Sequence, residues 1–280
     1  MTRFLSAHLA PAPTSFPRVA LSLLALWLLA WLAGPSLIAA MGLSLDPSGH
    51  AHLHAHGHPF VDARSWWGVP NTADVLSNLP LVLFGWMGLA MLSGRSLAAH
   101  TVTALRVFML GLLLSGLGSA VYHWAPAPAT LAIDRLGMAV AFAGVLGLVM
   151  AERVGQGPAR VTLPVALLLA TVSAVLPWLD GNVLPWVVVQ FGGVAMIVWA
   201  ATHQPVHGAL GVRFWALIAA YALAKLLELG DEAVYFATGE GVSGHSLKHV
   251  AAACAAWPIL LNLRADRLGD NARVHAAAMD

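Results

Sequence analysis

The chain has 280 residues, of which 59% are hydrophobic and 10% charged, with 14 Lys plus Arg against 13 Asp plus Glu. A balance this apolar excludes a water-soluble domain of this size, and a net charge of +1 leaves no basic field to hold nucleic acid. The single cysteine, Cys254, excludes an intrachain disulfide and reads as small apolar filler.

A spanning helix takes about 20 mostly apolar residues. Runs of that kind recur at about 18–42, 72–93, 101–123, 131–152, 160–178, 183–201, 211–229 and 247–264. The expectation is an all-α membrane protein: a seven-transmembrane-helix bundle preceded by one additional N-terminal transmembrane helix. Glycine- and proline-bearing breaks separate the runs, as at Ser93–Arg95, Ala125–Pro128, Gly155–Pro158, Asp180–Asn182 and Gly239–Gly241. The first run is longer than the 7–15 residues of a signal-peptide core, which favours a retained helix over a cleaved signal.

Four regions follow. Residues 1–43 form a tail and the extra helix, a possible signal anchor; 44–70 form a His-rich outer loop; 71–265 carry the seven helices; and 266–280 form a cytoplasmic tail. A cytoplasmic amino terminus places Arg3, Arg18, Arg95, Arg106, Arg153, Arg160, Arg213, Arg264, Arg267 and Arg273 inside, and leaves Arg64 and Arg135 outside. That asymmetry obeys the positive-inside rule and agrees with the helix count.

This topology gathers the ionisable groups of the spans at one depth, in the outer leaflet. Charged groups in a membrane are costly and face a cavity, one another or a metal. In the segment Gly244–His249, His245 and His249 stand four residues apart on one helix face and can share an ion. Alone, that spacing more often marks two interfacial polar residues. Gly118–His123 supplies His123 at the same depth, with Ser119 one turn behind it. Three neutral imidazoles with one open position form the ligand set of a catalytic zinc. Asp134, eleven residues after His123 across a Pro-bearing turn, can take a proton there, and Ser119 can hydrogen-bond an oxyanion. The plainer readings are a helix cap or an Arg135 ion pair for Asp134, and helix packing for Ser119.

Lys225 and Glu228, spaced i, i+3, read as a pair within one helix, and Asp231 and Glu232 as acceptors behind a ligand histidine or as solvated charges. His50, His52, His54, His56 and His58 form a tract able to hold zinc or copper loosely. Phe60, Trp66 and Trp67 read as interfacial aromatics.

Four stretches together resemble the alkaline ceramidase family, within the seven-helix membrane hydrolases that include the adiponectin receptors: Asn71–Asn78, Gly118–His123, Asp134–Met138 and Gly244–His249. The resemblance covers about residues 70–262. It implies zinc held by His123, His245 and His249, with Ser119 and Asp134 assisting a water that hydrolyses the ceramide amide, the lipid entering from the bilayer. The chain departs at the family's acidic calcium site, where it offers Asp62 and Asp74 and has Asn71 in place of a glutamate. Its Ala-, Leu- and Arg-rich style suggests a bacterial inner-membrane relative. Two further readings stand beside this one: a non-enzymatic metal-binding transporter or receptor, and a metal that only pins two helices together.

Overall fold

A computed structural model describes residues 13–42, 60–93 and 97–265. The His50–His58 tract and the terminal tails lie outside the described residues. Ten helices follow in order: α1 (Phe16–Ala40), α2 (Thr72–Leu76), α3 (Leu79–Met91), α4 (Ala99–Trp124), α5 (Pro128–Arg153), α6 (Gln156–Asp180), α7 (Leu184–Ala201), α8 (Phe214–Leu229), α9 (Asp231–Ala237) and α10 (Gly244–Cys254). Helical turns resume at 257–265. Among the described residues the only β pairing is an isolated bridge between Trp66 and Val69.

Among the described residues six helical segments are long and apolar enough to cross a membrane: Phe16–Ala40, Thr72–Met91 (α2 with α3), Ala99–Trp124, Pro128–Arg153, Gln156–Asp180 and Leu184–Ala201. This makes the chain an all-α, multi-pass membrane protein. The last two expected spans are less regular. The seventh yields α8, of 16 residues, and the eighth yields α10, of 11 residues. Helix α10 loosens at Ala255–Ala256, next to Pro258, whose missing N–H interrupts the backbone ladder before the helix resumes.

Helices α4 and α5 form the central pair. Their backbones approach closely because small residues face one another. A Cβ on Gly111 would strike the Ala141 backbone, one on Gly137 the Ser115 backbone, and one on Gly144 the Phe108 backbone. In lipid, where apolar surface gains nothing by leaving the solvent, such close approach supplies the packing. Around this pair stand α3, α6, α7, α8 and α10, and α1 lies along α7. Trp27 Nε1 of α1 donates to Ser173 Oγ at 2.7 Å, and Asn182 Nδ2 donates to the Ala30 carbonyl at 3.1 Å.

The bundle has two unlike ends. At one, the buried Glu152 carboxylate accepts backbone N–H groups from Leu210 and Gly211, each at 2.9 Å, and Arg153 donates to the carbonyls of His203 and Val212. Arg160 and His100 meet at this same end. The other end gathers the end of α4, the start of α5, helix α2 and the start of α10.

Candidate metal centre

The α4–α5 contact positions the first half of the site. Gly118 has no side chain to hold off α5, whose Ile133 carbonyl sits where a Cβ would go. This brings Asp134 alongside Ser119, which hydrogen-bonds its carboxylate. Because α5 begins at Pro128, Asp134 stands in its second turn and is not an N-terminal cap. One turn after Ser119, His123 is almost wholly buried.

Helix α10 supplies the other half, and its start is held from three sides. Ser243 caps it, accepting the Ser246 N–H at 2.9 Å. Asp231 accepts the backbone N–H of His245 at 2.7 Å. That is a role at the helix terminus. Gly244 lies so close to the Leu227 carbonyl and Asp231 Cα that no Cβ fits.

His123, His245 and His249 thus converge, with one ring nitrogen from each lying within 4.8 Å of the others. The Nε2 atoms of His123 and His245 are 3.3 Å apart. Tetrahedral zinc with Zn–N of about 2.0–2.1 Å separates its ligand nitrogens by about 3.3–3.4 Å, so this pair already has the required spacing. An Nε2–H on one ring can donate to the other at that distance, and where both rings keep the proton on Nδ1 the two lone pairs can instead share a cation. The donor set therefore fits a metal ion.

Hydrogen bonds fix the tautomer of His249. The Ser77 hydroxyl donates to the Asp74 carbonyl at 2.9 Å, so its oxygen is left to accept from His249 Nδ1–H at 2.8 Å. His249 Nε2 then carries the free lone pair, with Ser119 Oγ 3.5 Å away. Asp74 ties this arrangement to α10, since its Oδ1 accepts from Ser246 Oγ at 2.6 Å and lies 3.4 Å from Ser243 Oγ. Asn71, in the left-handed region at φ 44°, donates its side-chain amide to the His123 carbonyl at 2.8 Å.

The segment from Phe60 to Asn71 runs across the site. Phe60, expected at the membrane interface, is instead buried, with its ring centroid 4.5 Å from His123 and 5.3 Å from His245. It shields the imidazoles from water. Asp62 pairs with Arg64 at 2.7 Å, and Arg64 also donates to the Gly241 carbonyl, so the segment is fastened on the α9–α10 side. Trp66 and Trp67 are exposed. Cys254 is exposed on α10 and fills no core space.

A cavity of about 360 Å³ opens beside the histidines, lined by Ser119, Asp134, His245 and His249 at one end. Its farther wall includes Phe108, Leu112, Met138, Phe142 and Val145. Lys225 and Glu228 do pair, at 2.6 Å, and Lys248 joins them on the other carboxylate oxygen at 2.7 Å. No family model matches this chain, and no curated protein is significantly similar to it.

Proposed function

We propose that the protein is a zinc-dependent intramembrane hydrolase, related to the alkaline ceramidases, that cleaves the amide bond of ceramide or a related lipid amide. In this reading it sits in a bacterial inner membrane with both termini in the cytoplasm and the site toward the outer face. The observation that carries it is the convergence of three imidazoles, two of which, His245 and His249, line one apolar-walled cavity with the Ser119 hydroxyl and the Asp134 carboxylate. The ligands' position at a single end of the bundle favours catalysis over transport, which needs a path to both sides.

When bound, zinc polarises the amide carbonyl and lowers the pKa of a water toward about 7. Asp134 accepts a proton from the attacking water and returns it to the nitrogen as the C–N bond breaks, giving a carboxylic acid and a free amine. Once Asp134 has taken the proton it no longer needs the Ser119 hydroxyl, which then donates a hydrogen bond to the carbonyl oxygen as charge builds on it. Phe60 keeps bulk water from the metal side, and the apolar wall holds the acyl chain.

The deciding experiment is metal analysis of purified protein together with fluorescent-ceramide hydrolysis. Asp134→Ala is expected to keep its zinc and lose turnover by about 10²–10⁴-fold. Unchanged turnover in Asp134→Ala, or full zinc content and activity in His245→Ala, overturns the reading.

A further inference from the structure

A purely apolar chain pocket has no use for the polar stripe on the α8 side of the cavity. Tyr221, Lys225 and Glu228 stand at i, i+4 and i+7 on α8 and all line the cavity, as does Lys248 from α10. On α7, Gln190 accepts from the Tyr221 hydroxyl at 3.4 Å. The Glu228 carboxylate takes one ammonium on each oxygen, Lys225 at 2.6 Å and Lys248 at 2.7 Å.

Charge on the cavity wall does not balance. Arg135, Lys225 and Lys248 line it against Asp134 and Glu228, while Asp74 acts on Lys248 from outside the cavity lining. Each ammonium carries three donors, and Glu228 takes one from each lysine. In a low-dielectric cavity an excess cation is costly until an anion meets it. A neutral two-chain lipid would press methylenes against both ammoniums and leave that cost in place. Lys225 and Lys248 line the same cavity as His245 and His249, so an anion held between the lysines shares that cavity with two of the three histidines.

We infer that the cavity selects an anionic amphiphile, whose carboxylate or phosphate docks between Lys225 and Lys248 while its chain lies along the Phe108–Phe142 wall. This rests on the reading of the cavity as the lipid site. It narrows the substrate from lipid amides in general to those bearing a negative group near the scissile bond.

The test measures equilibrium binding of three probes of equal chain length to the full-length, zinc-loaded protein in nanodiscs. The probes are an N-acylglycine, an alkyl phosphate and a neutral N-acylethanolamine. Wild type is expected to bind at least one anionic probe about tenfold more tightly than the neutral one, the effect of one charge-assisted contact. Comparison of the two anionic probes shows whether carboxylate or phosphate is preferred. Lys225→Met should abolish the preference without weakening the neutral probe, and Lys225→Arg should keep it. Glu228→Gln, which removes the competing carboxylate, should tighten anionic binding, a gain that misfolding cannot produce. Equal affinity of wild type for charged and neutral probes, a preference that survives in Lys225→Met, or no binding of any probe overturns the inference. Selective anionic binding without hydrolysis of the N-acylglycine or of ceramide leaves the inference standing and overturns the hydrolase reading alone.

Discussion

The Ser77 hydroxyl spends its proton on the Asp74 carbonyl, so only its lone pairs remain for His249 Nδ1–H. Ser77→Ala removes that acceptor and frees the ring to turn and to change tautomer. Loss of an acceptor behind a ligand histidine costs about 10–100-fold in metal affinity. Zinc titration against a competing chelator is expected to show a loss of that size, with the fold intact by circular dichroism; unchanged affinity would mean that Ser77 does not orient the ring. The histidines themselves were legible in the sequence, because the i, i+4 pair and a third histidine at matching depth satisfy a ligand count. Ser77 was not, since it lies 172 residues from His249 and serine on a helix has many uses. Phe60 was misplaced for the same kind of reason: an aromatic near a predicted span usually marks the interface, and only the tertiary fold turns it onto His123 and His245.

Helix contacts divide the site into two separable halves. The Asp134 side depends on how closely α5 approaches α4, while two of the three ligands depend on how α10 docks on α8 and α9. In Gly137→Ala the new methyl meets the Ser115 backbone, which cannot yield without the helices parting. A shift of about 1 Å at a reacting group can cost about 10²-fold. Turnover should therefore fall by about that factor while zinc content holds, because α5 carries none of the three histidines. Gly244→Ala should do the reverse. Its methyl meets the Leu227 carbonyl and Asp231 Cα, and displaces the turn that carries His245. Zinc content is expected to drop first, with about 1–3 kcal/mol of stability lost to overpacking. Metal analysis and thermal melts of the two variants check both, and a shared pattern of loss would show that the halves are not independent. Six of the eight expected spans were legible as long apolar runs. The last two emerge shorter, because α8 ends at Gly230 and α10 is interrupted beside Pro258.

The whole bundle is polar at both ends, in different ways. One end holds the histidines, Asp134 and the Asp62–Arg64 pair. The opposite end holds Arg153 and Arg160 together with the 203–212 loop that Glu152 anchors. Phe16 stacks on Trp199 at 6.4 Å, which puts the start of α1, next to Arg18, at the arginine end. Arginine is retained on the cytoplasmic side during insertion, and in the orientation proposed above the histidines lie at the end away from the cytoplasm. The prediction is a labelling pattern in intact cells, in a background where Cys254 is replaced by Ala. Glu240 and Gln204 are exposed in loops at opposite ends. A membrane-impermeant maleimide is expected to modify Glu240→Cys and spare Gln204→Cys until the cells are lysed. The reverse pattern would put the histidines on the cytoplasmic face, and the substrate would then have to come from the inner leaflet.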